Sequence, residues 1–295
     1  MVFRRAPELD PAARDALIRV LANPKFELLP LKSVDAQSAF LPVGATVSVT
    51  ASPSKGIEAT IELTVRLAER GFLAIPHLSA RMIRDRAHLK SLLAGLAAGG
   101  ISRAFVVGGD ADEPGDYPDG LSLLRAMAEL GHPFAEIGIP CYPQGHATIP
   151  DDRLLAALAE KQGFATSMTT QLCFDPKAIR TWLLDRRADG ISLPVTIGIP
   201  GVAELHKLIE ISARIGVRDS RRFVTKNTAL VGRILRPGGY RPDGLLAALA
   251  PLLLDPLADV HGLHLYTFNQ VETTEEWRQA YLAGLAALGS AAAAS

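Results

Sequence analysis

Cysteine is scarce in this chain of 295 residues. Cys141 and Cys173 form no C-x-x-C pair and no metal-ligand spacing, so a reducing compartment is expected. Neither sign of charge is in excess, since 31 Lys and Arg balance 31 Asp and Glu. A neutral chain gives no electrostatic reason to expect nucleic acid or a charged membrane surface as partner. No apolar run is long enough to cross a bilayer, and the start carries Arg4, Arg5 and Glu8 where a signal core would be apolar. The expected address is the cytoplasm. The G-x-G-x-x-G turn of a Rossmann domain is missing, because Gly108-Gly109-Asp110 lacks the third glycine at that spacing and ends in an acid. A G-x-S-x-G elbow is missing too, which argues against a Ser-His-Asp hydrolase.

What is present is a repeating pattern in a chain that is 48% apolar and 21% charged, a composition that supports a sizeable core. Asp10-Pro11 reads as a cap and first turn of a helix running to about Ala22. Short apolar runs then alternate with helical segments that end at Gly or Pro. The runs are Lys25 to Lys32, Thr46 to Thr50, Phe72 to Leu78, Ala104 to Asp110, Glu136 to Pro143, Ala165 to Phe174, Leu193 to Ile199 and Gly262 to Asn269. A helical segment is expected from Val202 to about Leu235, another from Gly244 to Leu253, and fraying in the Ala-rich end, Ala291 to Ser295. Eight strands alternating with helices predict an α/β chain folded as one (β/α)8 barrel domain over residues 1–295.

In such a barrel the chemistry sits where strands end. The predicted strand ends and polar strand faces supply Glu27, Thr50, His77, Asp110, Tyr142 with His146, Gln171 and Asn269. Each has a structural explanation of its own: His77 as a satisfied core histidine, Asp110 as a turn cap, Tyr142 as packing. Glu27 stands out, because it lies alone inside an apolar run and an ionised carboxylate in a dry core is costly. Metal binding is disfavoured by the lack of H-x-x-x-H or H-x-H spacing. A Schiff-base lysine is unsupported, since Lys25, Lys32 and Lys55 sit at strand ends or in loops. Ser54-Lys55-Gly56 reads as an ordinary helix start, and Arg81, Arg84 and Arg86 as a solvated face near the rim.

Taken in order, these stretches resemble the methylenetetrahydrofolate reductase family. Phe26-Glu27-Leu28-Leu29-Pro30-Leu31-Lys32 is similar to its F-E-F-F-P-P-K, Val47-Ser48-Val49-Thr50 to V-S-V-T, and Pro76-His77-Leu78-Ser79 to A-H-L-T. Val107-Gly108-Gly109-Asp110 stands where the family has L-R-G-D, and Tyr142-Pro143-Gln144-Gly145-His146 resembles Y-P-E-G-H. Thr170 to Asp175 resembles T-Q-F-F-F-D, and Tyr266-Thr267-Phe268-Asn269 matches Y-T-L-N. The resemblance implies a (β/α)8 barrel that reduces 5,10-methylenetetrahydrofolate to 5-methyltetrahydrofolate, a step of one-carbon metabolism and methionine biosynthesis. It implies Glu27 as the acid that opens the folate's five-membered ring, Asp110 as the carboxylate that stabilises the resulting iminium and holds the pterin, and Gln171 as a folate contact. Thr50, His77, Tyr117, Tyr142 and His146 stand at positions that contact flavin in the family.

The sequence also departs from the family. The arginine before Gly-Asp is Gly108, the acid of Y-P-E-G-H is Gln144, and Ala51 to Gly56 replaces a glycine-rich turn. Loss of that arginine removes a charge-assisted phosphate contact. The expectation is therefore that FAD binding is weakened or absent and that NADH or NADPH passes hydride directly to the folate. An FAD-dependent version of the reaction, a folate-dependent one-carbon transferase and a non-catalytic folate-binding homologue are the alternatives. The sequence leaves a homo-oligomer open.

Overall fold

The computed structural model describes residues 9–202 and 240–293. The chain opens with α1 (Pro11–Ala22), whose cap Asp10 accepts a hydrogen bond from the Ala12 amide at 2.7 Å. There follow β1 (Lys25–Leu28), α2 (Val34–Ser38), β2 (Thr46–Val49), α3 (Ile57–Glu69), β3 (Leu73–Ser79), a short 3₁₀ turn (Ala80–Met82) and α4 (Arg86–Ala98). Next come β4 (Arg103–Val107), α5 (Gly120–Leu130), β5 (Glu136–Cys141), α6 (Asp151–Lys161), β6 (Ser167–Thr170), α7 (Pro176–Ala188) and β7 (Val195–Pro200). The last described elements are α8 (Asp243–Leu253), β8 (Val260–Tyr266) and α9 (Val271–Ala293). The strands pair in parallel, in sequence order, and β8 returns to β1 to close an eight-stranded barrel.

The expected class and strand number are thus observed, with shorter strands. β1 stops at Leu28, two residues before Pro30. β6 keeps only Ser167–Thr170, because Gln171 to Phe174 leave the sheet and Asp175 then caps α7 through the Lys177 and Ala178 amides. The last strand starts two residues earlier than expected and ends at Tyr266. The short α2 carries no strong periodic signal and was not expected. The segment predicted to be helical from Val202 to about Leu235 lies outside the described residues after Val202. α9 continues to Ala293, consistent with alanine's helix propensity.

Strand alternation divides the barrel into two environments. Phe26, Leu28, Val47, Val49, Val106, Ile137, Ile139, Leu263 and Leu265 join the hydrophobic layer under the helices. The opposite set, from seven strands, surrounds a small cavity in the lumen and includes Lys25, Ser48, Phe105, Ser167, Thr169 and His264. Gly198 keeps the mouth side of this lumen open for an aromatic ring. A Cβ there would stand 2.2 Å from the Thr170 carbonyl oxygen and 2.6 Å from Tyr266 Cε2.

The seam between β8 and β1 is reinforced past the ends of both strands. The Asn269 amide accepts from the Leu29 N–H at 2.8 Å and donates to the Leu29 carbonyl at 3.0 Å. Thr267 Oγ1 donates to the carbonyl of Glu27. Phe268 and Asn269 adopt left-handed backbone, φ 54° and 56°, which aims the Asn269 side chain back at β1. On the outer side, Arg278 of α9 makes two 2.7 Å bonds to Glu275, donates to the Leu21 carbonyl at 2.7 Å and lies over the Phe26 ring. This buried pair ties α9 to the end of α1 and to β1. Replacing Asn269 by alanine leaves both polar groups of Leu29 without their partner, and is expected to cost about 1–3 kcal/mol in a urea denaturation. A midpoint equal to the parent's would show that the clasp does not hold the seam.

Candidate active site

Glu27 projects from the short β1 and is only 8% exposed. The strand registers place it beside Ser48 of β2, and the β1–β8 pairing brings it next to His264 and Tyr266. Its Oε2 lies 3.5 Å from His264 Nε2, an ion-pair distance between two buried side chains. The ring of Tyr266 stands edge-on to His264, with centroids 4.7 Å apart, and its hydroxyl donates to the Thr170 carbonyl at 3.1 Å. Burial first, then the charges of Glu27 and Tyr142, hold the Tyr266 hydroxyl well above its ordinary range. Tyr266 therefore bridges Glu27 on one side of the mouth and the ends of β5 and β6 on the other.

Asp110 lies just beyond β4 and is exposed. The bend that carries it requires Gly109, whose φ is +89° and whose Cβ would fall 1.8 Å from Ser79 Oγ. Asp110 acts on both Tyr142 and His146. Burial first, then Cys141 and Asp110, push the Tyr142 hydroxyl up to about 12. Burial lowers His146, and Asp110 opposes that shift. The two rings meet edge to face at 5.3 Å, and His146 Nδ1 accepts from the Thr148 amide at 3.3 Å. Gln171 follows β6 at the same end of the barrel; its Oε1 accepts from the Leu172 amide at 2.8 Å. Thr50, at the end of β2, is paired through its amide with the Leu28 carbonyl at 2.9 Å.

The barrel thus gathers Glu27, Thr50, Asp110, Tyr142, His146 and Gln171 at the C-terminal ends of its strands. Two other residues singled out from the sequence are buried among protein neighbours. His77 is buried in the lumen, with Nε2 2.7 Å from Ser48 Oγ and its ring against Phe105. Tyr117 is buried in the loop before α5, where the surrounding charges are Asp116, Arg86, Asp85 and Glu129. Asn269, also expected at the rim, serves the Leu29 backbone. The three arginines near the rim are engaged: Arg81 with the Ala111 and Asp112 carbonyls, Arg84 with Glu58, and Arg86 with Glu129. His264 and Tyr266 were missed. The period-2 reading of Gly262 to Tyr266 puts both on the face opposite Leu263 and Leu265, and would have found them. Among the described residues no cluster of three or more His, Cys, Asp or Glu is placed to hold a metal ion.

A parallel barrel with a buried carboxylate, a solvated carboxylate and an amide around one mouth is an arrangement suited to acid-assisted chemistry on a polar heterocycle. The family comparison gives this arrangement its context. The chain matches the model of the methylenetetrahydrofolate reductase family over residues 27–225, two thirds of its length, and belongs to that family. Among solved structures it is similar to the carboxyl transferase domain of Rhizobium etli pyruvate carboxylase, at 11% identity and a TM-score of 0.42, with 93% of this chain and 49% of that one covered. A candidate lyase/mutase from Burkholderia cenocepacia J2315 is similar at 15% identity and a TM-score of 0.43, with 93% and 86% covered.

The state of His77 has a consequence for stability. Burial first and His264 second push its pKa down to about 3, against 6.5 for the free side chain. Between these values the unfolded chain binds a proton that the native chain refuses, so stability falls as pH falls from 6.5 toward about 3. His77→Gln removes this contribution. Its melting temperature is expected to fall less than the parent's on acidification from about pH 6.5 to pH 4. Parallel slopes for the two proteins would exclude a neutral buried His77.

Proposed function

We propose that this protein reduces 5,10-methylenetetrahydrofolate to 5-methyltetrahydrofolate, with NADH or NADPH delivering hydride directly. The observation that carries the reading is the pairing of two carboxylates in opposite environments at one barrel mouth. Glu27 is the buried one and Asp110 the solvated one. Glu27 donates a proton to the ring nitrogen that leaves when the imidazolidine ring of the folate opens. The bond from that nitrogen to the methylene carbon breaks and leaves an iminium cation on the other nitrogen. Asp110 stabilises this cation and accepts hydrogen bonds from the pterin. Gln171 contributes an amide, which offers both donors and an acceptor to the pterin edge. Hydride from the nicotinamide then reduces the iminium carbon to a methyl group.

The reading without flavin rests on the residues around the family's flavin positions. Where the family has an arginine, this chain has Gly108, with open space where a side chain would begin. The neighbouring Arg81, Arg84 and Arg86 are tied to carbonyls and carboxylates of the protein. A flavin pyrophosphate would meet few charge-assisted donors there. Tyr142 and His146, which stand edge to face beside Asp110, are free to flank a nicotinamide in place of a flavin.

Purified protein is expected to show no flavin absorbance and to oxidise NADH or NADPH when methylenetetrahydrofolate is added. A stoichiometric flavin band would favour the FAD-dependent version, and folate-dependent chemistry without nicotinamide oxidation would favour a one-carbon transferase. Glu27→Gln is expected to bind folate as the parent does and to lose about 10²–10⁴-fold in turnover. Turnover at the parent's rate would remove Glu27 from the role of acid.

A further inference from the structure

An acid that gives up its proton must regain one before the next turnover. In the proposed reaction the folate and the nicotinamide cover the mouth, which is the side from which bulk water would reach Glu27. The lumen offers a second side. Barrel interiors are usually filled by layers of Val, Ile and Leu. Here Ser48, Ser167, Thr169 and His264, together with Ile75 and Phe105, surround a cavity of about 20 Å³ that extends to Lys25, Arg103 and Glu136 at the opposite pole. That space accommodates about one water molecule, and its walls supply the polar partners such a water needs. The side chains of Arg103 and Glu136 are 33% and 53% exposed, so the far end of the cavity meets solvent.

His264 lines this cavity and also reaches Glu27, at 3.5 Å. Imidazole can take a proton at one nitrogen and release another from the second. We propose that His264 is a proton-relay residue that recharges Glu27 through the lumen, from the N-terminal pole of the barrel. The inference rests on the reading of Glu27 as the acid. Nε2–H breaks as O–H forms on Glu27, and the other ring nitrogen takes a proton from the cavity water, which is replenished from solvent. The imidazole remains neutral at the end of the step, with its proton on the nitrogen away from Glu27, and loss of that proton to water with uptake of another at Nε2 between turnovers restores the starting tautomer. The other groups facing this path are Lys25 on β1, His77 on β3, Arg103 on β4, Glu136 on β5 and Tyr266 on β8. His77 does not compete for the proton at neutral pH, because burial holds its pKa at about 3 and its Nε2 is engaged with Ser48. Lys25 is held below its usual range by burial first, and Arg103 pairs with Glu136 at 2.9 Å.

Two variants test the relay. His264→Gln keeps a polar side chain beside Glu27 and cannot pass a proton. Ser167→Val fills the cavity at a distance from the acid. Rapid mixing of each enzyme with methylenetetrahydrofolate and NADH separates the first turnover from later ones. Both variants are expected to complete the first turnover within about threefold of the parent rate and then to slow at least about tenfold, giving a burst that the parent lacks. Their thermal melts establish that they are folded. Equal slowing of the first and later turnovers would make His264 a structural support and overturn the relay. Unchanged kinetics in either variant would overturn it as well. Lack of any nicotinamide oxidation by the parent would instead overturn the reading of the reaction, and the relay with it.

Discussion

The closure of the barrel between its first and last strands is the constraint on which the site depends. β1 has four residues, too few to fix a side chain's direction unaided. Its position comes from both flanks: the sheet register with β2 and β8, the Asn269 amide on Leu29, and the Arg278–Glu275 pair against Phe26 and the end of α1. A buried carboxyl group is costly unless its surroundings are arranged for it. The seam supplies that arrangement, since the strand that carries Glu27 is the one against which β8 presents His264 and Tyr266.

The polar lumen follows from the same arrangement. Polar groups inside a barrel destabilise it unless they are paired. His77 is paired with Ser48, the Tyr266 hydroxyl with the Thr170 carbonyl, and the Thr170 hydroxyl with the Gly198 amide at 2.8 Å. Gly198 is part of this design, because any side chain there would occupy the space of the Tyr266 ring. The interior therefore carries polar groups from Lys25 at one pole to Glu27 at the other, interspersed with Ile75 and Phe105 and wrapped by an apolar layer that stabilises the fold. Separating the two functions by strand face lets the chemistry vary without thinning the core.

Much of this was legible in the sequence. The alternation of short apolar runs with helical segments gave eight strands and a barrel, and Asp10, Asp85 and Asp175 mark helix starts through bonds their side chains make. Glu27 could be singled out because a carboxylate inside an apolar run demands an explanation. What sequence position could not separate was rim from lumen and ligand-facing from backbone-serving. Asn269 and Gln171 both follow strands, yet the Asn269 side chain is committed on both sides to Leu29 while the Gln171 side chain accepts from the Leu172 amide. His77 is level with Thr50 in the register of β2 with β3, and its Nε2 is engaged by Ser48. Tyr117 was placed by its resemblance to a family position, and its loop carries it to the charges of Asp116 and Arg86. His264 escaped notice because its strand was read for length and not for which face each residue takes.

Burial has two opposed effects on an acid of this kind. In the proposed reaction it shields the donor from competing water, and it removes the water from which a spent carboxylate would recover its proton. In the proposed reaction the mouth is covered while the substrates are bound, so a proton that returns before the products leave needs another route. Opening to the lumen resolves the conflict, because the donor then faces substrate on one side and a proton path on the other. On the same proposal the exposed carboxylate, Asp110, acts by charge and needs no such route. On this proposal the asymmetry between the two carboxylates accounts for the hydroxyls and the imidazole that stand beside Ile75 and Phe105 in the lumen.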